Sequence, residues 1–174
     1  MEIVRILGID PGLRFTGYGI LNYNFENNEI WASDCGVIKN TTEKGVKGLE
    51  KINIMKNRIM ETLDKPPFED CDNYIIEVPA AIFNKNFSAG SLIPVAVVSG
   101  FLLGLFHNQN VTPVYPVVWN QRRKKEVTRA NTEEVLGDCD TWKYLEKIPA
   151  KGQMEHVVDA VSIALWFFEK NYMD

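Results

Sequence analysis

"ILGIDPGLRFTGYGIL", residues 6–21, decides how the chain folds. A short apolar run ends at Asp10, Pro11 and Gly12 follow at once, and Arg14 leads into a second apolar segment spaced by Gly17 and Gly19. Pro-Gly after an acid suits a tight turn, so the stretch reads as two strands joined by a short connection. Asp10 then stands at a strand end. It is either a turn residue or a carboxylate that chemistry requires there, with Gly12 and Gly17 letting backbone and substrate come near.

Outward from this stretch, "EIWASDCGVIK" (29–39) supplies a third strand after a turn at Glu26 to Asn28. Val46, Leu49, Ile52, Met55, Ile59 and Leu63 recur at three and four, the period of an amphipathic helix, which Pro66 and Pro67 end. "NYIIEV" (73–78) is a fourth strand, 89–107 a second helix, and "VTPVYPV" (111–117) a fifth strand. The pattern is poor from 120 to 150, with a helix near 131–137, and 153–171 closes the chain as a helix. Three meandering strands followed by alternating helix and strand predict an α/β, RNase H-like fold. Its five-stranded mixed sheet would carry helices on both faces. We expect one RNase H-like domain over 1–174.

The chain has 174 residues, 45% hydrophobic and 24% charged, values of a globular protein. "SLIPVAVVSGFLLGLF" (91–106) is too short and too interrupted by Pro94, Ser99 and two glycines to span a membrane. Cys35, Cys71 and Cys139 form no CxxC pair, so neither a disulfide framework nor a zinc site is expected. With no signal-peptide pattern at the start, a reducing cytoplasm is the expected compartment. A net charge of −4 weighs against nucleic-acid binding. Yet "NQRRKKEVTR" (120–129) concentrates five basic residues against one acid, enough for a local DNA surface. Arg122, Arg123, Lys124 and Lys125 are the expected phosphate contacts.

Asp10, Glu77 and Asp159 each interrupt apolar surroundings. If the first and fourth strands are parallel neighbours, Asp10 and Glu77 emerge together at carboxyl ends, where α/β sheets place ligands. Asp159 follows His156 by three and Glu155 by four, so either can share its face of the last helix. Clustered carboxylates repel one another. A hard divalent cation, Mg²⁺ or Mn²⁺, removes that cost, and two such ions can hydrolyse a phosphodiester. Each residue also has a plainer reading: a turn acid, a solvated strand end, a lysine partner, a packing histidine.

The stretch 6–21 closely resembles the opening motif of the RuvC family of Holliday-junction resolvases. "IIEVPAAIFNKNFSAG" (75–90) and "HVVDAVSIAL" (156–165) resemble its second and third motifs. The resemblance spans essentially the whole chain, in order. It implies a metal-dependent endonuclease, active as a homodimer on four-way DNA junctions, with two Mg²⁺ or Mn²⁺ ions per site and no nucleotide cofactor. Asp10, Glu77 and Asp159 would be the metal-binding carboxylates and His156 the fourth member of the site. Phe83, or its neighbour Ile82, falls where the family stacks an aromatic near the exchange point. Arg14, Asn84 and Lys85 would follow the DNA path. The resemblance breaks at "PVAVVSG" (94–100), which lacks the family's Gly-Gln-Ala-Arg-Gly, and at "WNQRRKKEV" (119–127). Such divergence suits a phage or mobile-element branch.

Other readings are weighed against this one. A related RNase H-like nuclease would act on forks, flaps or RNA-containing substrates, and a silent branched-DNA-binding module would gain nothing from acids facing phosphate. The RuvX/YqgF nucleases share the fold, but "IIEVP" fits them poorly. Actin-like and sugar-kinase ATPases open similarly but need a second domain and phosphate loop.

Overall fold

The computed structural model describes residues 3–41, 46–80, 89–120, 125–137, 139–145 and 151–173. Strands β1 (Ile3–Asp10), β2 (Phe15–Asn24) and β3 (Glu29–Lys39) form the expected antiparallel meander. Helix α1 (Leu49–Leu63), strand β4 (Asn73–Glu77), helix α2 (Ala89–Leu105) and strand β5 (Val111–Val114) follow. Four more helices complete the chain: α3 (Pro116–Trp119), α4 (Lys125–Leu136), α5 (Asp140–Leu145) and α6 (Lys151–Tyr172). The sheet order is β3-β2-β1-β4-β5, with β4 parallel to β1 and β5 parallel to β4. This is the RNase H-like arrangement, with helices on both faces.

Alternation along β1 divides the core. Leu7 and Ile9 point toward α1 and α2, where Met55, Ile59, Leu63, Val98 and Leu102 are fully buried. Ile6 points the other way, to Ile163, Ala164 and Trp166 of α6. Each such aliphatic side chain contributes about 1.5–3 kcal/mol when withdrawn from water. Gly8 and Asp10 share the α6 face with Ile6.

Two glycines let α6 lie directly on the sheet. A Cβ at Gly8 would overlap the Ala160 carbonyl oxygen, and one at Gly17 the carbonyl oxygen of His156. Gly17 is paired opposite Asp10. The space at Gly17 is therefore taken by helix backbone, and it brings α6, not substrate, close to the strand end.

Several boundaries differ from the sequence reading. Helix α1 starts at Leu49, after Gly48 in the left-handed region at φ 58°, so Val46 precedes the helix and Leu49 is exposed. Strand β5 stops at Val114, because Pro116 opens α3 and cannot donate to a ladder. Helix α4 runs from 125 rather than 131, and α5 was not expected. Cys35 and Cys139, far apart in sequence, meet as buried free thiols with sulfurs 3.8 Å apart. No helix among the described residues is long and apolar enough to cross a membrane.

Candidate active site at the carboxyl end of β1 and β4

The parallel register pairs Ile9 with Ile76, so Asp10 and Glu77 are the next residues of the two strands, on the face that α6 covers. Asp10 is 9% exposed and ends its strand facing the helix. His156, in the second turn of α6, places Nδ1 2.5 Å from Asp10 Oδ2. Asp159 lies one turn further along, half-buried.

Glu77 carries the clearest electrostatic signature. Burial, then the charge of Asp10, then that of Asp159, push its carboxyl up to about 8, against the opposing pull of an indole hydrogen bond and of His156. The indole belongs to Trp119, whose Nε1–H donates to Glu77 Oε2 at 2.6 Å. His156 is raised above its ordinary value, first through its hydrogen bond to Asp10 and further by the charges of Asp10, Asp159 and Glu155. The four acidic and imidazole groups thus sense one another across a single site, which is the situation that a bound cation relieves.

Beside them opens a cleft of about 260 Å³, lined by Glu77, Pro116, Trp119, Asn120, Arg129, Glu155, Val158 and Asp159. Glu155 and His156 therefore both reach the site from different sides, Glu155 on the cleft with Asp159 and His156 on Asp10. Among the described residues, no three acidic, imidazole or thiol groups converge closely enough to hold a metal as they stand. Asp10 is engaged by His156 and Glu77 by Trp119. In type the donors nevertheless fit a hard divalent cation: two strand-end carboxylates and one from α6, with Glu77 held above its ordinary range first by burial and then by the charges of Asp10 and Asp159.

Arg14 is exposed at the rim. Its guanidinium carbon lies 5.1 Å from the Phe15 ring centroid, and that ring lies 5.9 Å from the ring of His156. Phe83, Asn84, Lys85, Arg122, Arg123 and Lys124 lie outside the described residues, as does the side chain of Lys125, whose backbone opens α4. Sequence reasoning missed Trp119 and Arg129. A tryptophan closing the apolar run "PVVW" carries no local sign of a carboxylate partner, and Arg129 was counted in the basic run without being assigned to the cleft.

Residues 6–167 match the family model described as "Crossover junction endodeoxyribonuclease RuvC". The protein of that name from Clostridioides difficile (strain 630) is 29% identical over 97% of this chain and 92% of its own length. The one from Alkaliphilus oremlandii (strain OhILAs) is 30% identical over 92% and 90%. Among solved structures, T. thermophilus RuvC in complex with Holliday junction substrate superposes with a TM-score of 0.66 at 18% identity, covering 97% of this chain and 96% of that one. Fowlpox virus resolvase in complex with substrate Holliday junction DNA superposes with a TM-score of 0.63 at 18% identity, covering 97% and 99%. These two share the fold. The family is one of divalent-metal-dependent nucleases. With its strand-end acids in register and nearly its whole length matched, the chain belongs to the RuvC family of crossover junction endodeoxyribonucleases.

Proposed function

We propose that this chain is a structure-selective endonuclease that cuts four-way DNA junctions by metal-dependent phosphodiester hydrolysis. The observation that carries the reading is the placement of Asp10 and Glu77 at the ends of two neighbouring parallel strands under α6, with His156 bonded to Asp10 and the charge of Asp159 felt at Glu77. Asp10, Glu77 and Asp159 would hold Mg²⁺ or Mn²⁺, two ions per site. When bound, such ions lower the pKa of a water and stabilise the leaving oxygen. His156 keeps Nδ1 against Asp10, which leaves Nε2 as the ring nitrogen to hold a water at the scissile phosphate. Arg14, Asn84 and Lys85, with Phe83 for stacking and the run Arg122, Arg123, Lys124 and Lys125, would bind and orient the DNA. Arg129 joins them from the cleft wall.

A four-way junction is cut on two strands, which calls for two sites, and we propose a homodimer. Ile93 and Val97 stand exposed on α2, at 60% and 42%, and give that helix an apolar face of the kind a second copy covers. Ile93→Glu should then give a monomer in sedimentation. We also propose one nuclease domain over the whole chain and a reducing compartment, which three buried free thiols suit.

The departures from the family at 94–100 and 119–127 favour one rival, a related nuclease for forks, flaps or RNA–DNA hybrids. A panel of four-way junction, fork, flap, duplex and hybrid with Mg²⁺ or Mn²⁺ separates the two. Asp10→Asn and Glu77→Gln should abolish cleavage and leave junction binding within a few-fold of wild type, because phosphate contacts supply most of the affinity. Normal cutting by either variant would overturn the site.

A further inference from the structure

Trp119 is a core residue with one polar duty. Trp119 is 8% exposed and belongs to the apolar cluster between the sheet and α6 that includes Ile75, Val114, Ile163 and Trp166, while its single side-chain donor reaches Glu77 Oε2 at 2.6 Å. An indole N–H can only donate, and a ring wedged in a packed core cannot follow a moving carboxylate. Helix α3, opened by Pro116 directly after β5, fixes where that ring sits. The cleft that Glu77 and Trp119 line together opens on the side of Asp159.

We propose that Trp119 is a positioning residue for Glu77: by occupying Oε2 it holds the carboxylate so that it offers a single oxygen, Oε1, to a divalent cation. This rests on the reading of Glu77 as a metal-binding carboxylate. The consequence is ionic selectivity. Mg²⁺ and Mn²⁺ take few ligands in near-octahedral geometry, whereas Ca²⁺ takes six to eight and accepts bidentate carboxylates. A carboxylate held by one oxygen favours the small ions, and one released to swing favours Ca²⁺. Groups that orient a ligand in this way typically change metal affinity about 10- to 100-fold when removed.

The test uses the full chain in three forms: wild type, Trp119→Phe, which removes the donor and keeps an aromatic ring, and Glu77→Gln. Calorimetric titration with Mn²⁺ alone and Ca²⁺ alone should show Mn²⁺ affinity about 10-fold weaker in Trp119→Phe, with Ca²⁺ affinity changed much less. An unchanged ratio of Mn²⁺ to Ca²⁺ affinity, whether both hold or both fall, overturns the proposal. If Glu77→Gln loses Mn²⁺ and Trp119→Phe keeps the wild-type ratio, only the role of Trp119 falls. If Glu77→Gln binds Mn²⁺ like wild type, the reading of the site falls as well. A measurement on the wild type covers failure of Trp119→Phe to fold. Of the four tryptophan indole N–H signals in a nitrogen-15 spectrum, the one displaced by Glu77→Gln should move on Mg²⁺ titration of the wild type. No response of that signal to Mg²⁺ overturns the proposal too.

Discussion

His156 and Asp10, separated by 146 positions in the chain, meet through Nδ1 and Oδ2 at 2.5 Å, one from the last helix and one from the first strand. The contact bears on which residue of the α6 turn completes the site. His156→Ala should lower Mg²⁺- and Mn²⁺-dependent cleavage about 100-fold, within the range of a lost acid–base group, and Glu155→Ala should stay near wild type. Single-turnover rates from pH 6 to 9 check this. A large loss in the Glu155 variant with His156→Ala active at every pH would reverse the roles.

The metal-free protein should lose stability as pH rises. The Glu77 carboxyl titrates near 8 when folded against 4.5 as its ordinary value, so its contribution to stability falls between about pH 4.5 and 8. His156, raised above 6.5 by Asp10, acts in the same direction. Its contribution is complete below 6.5 and is lost as pH rises through its folded value. Glu77→Gln keeps an acceptor for Trp119 and removes the charge. In EDTA its melting temperature should match wild type near pH 4 and exceed it near pH 8.5, by the equivalent of a few kcal/mol at most. Mg²⁺ at pH 8 should raise the wild type only. Parallel curves at all pH values would refute the electrostatic account.

Gly17→Ala should damage both fold and activity. The added methyl meets the backbone of His156, which cannot rotate away, so α6 must rise at the very turn that carries the site. Overpacking of this kind costs about 1–3 kcal/mol, and cleavage should fall further than stability alone explains. Gly152→Ala, in the same helix with open space around it, serves as the control and should leave stability unchanged or raise it by up to about 1 kcal/mol. Thermal melts and cleavage rates on both variants decide it.

Arg122→Ala combined with Arg123→Ala should weaken junction binding equally for all sequences and flatten the slope of log affinity against log salt by about 1 to 2 units. Titrations at several salt concentrations measure the slope. An unchanged slope would mean that these side chains turn away from DNA.

The elements that sequence made legible are those with a strong period or a strong interruption. The meander showed because apolar alternation stops at Pro11-Gly12 and again at Glu26 to Asn28, and α6 because its apolar face runs unbroken from Val157 to Phe168. Asp10, Glu77 and Asp159 showed as charges inside such runs. Helices α3 and α5, of 4 and 6 residues, are too short to display a period. Helix α4 turns Thr132 inward, where its hydroxyl bonds to Ser162, and a buried polar residue blurs the amphipathic signal. The Trp119–Glu77 bond depends on the parallel register of β4 with β5, which pairs Glu77 with Val114, and no local pattern carries that.

Where α6 crosses Gly8 and Gly17, main chain rests on main chain, so the height of the helix above the sheet is set by the radii of backbone atoms. Side chains elsewhere in the interface, such as Val161 and Ile163, govern how firmly the helix is held there. Tightness of attachment and width of the catalytic gap are therefore separate variables. Substitutions that loosen or strengthen the grip on α6 can shift the melting temperature while the span from His156 to Asp10 stays constant, because the glycines act as a mechanical stop.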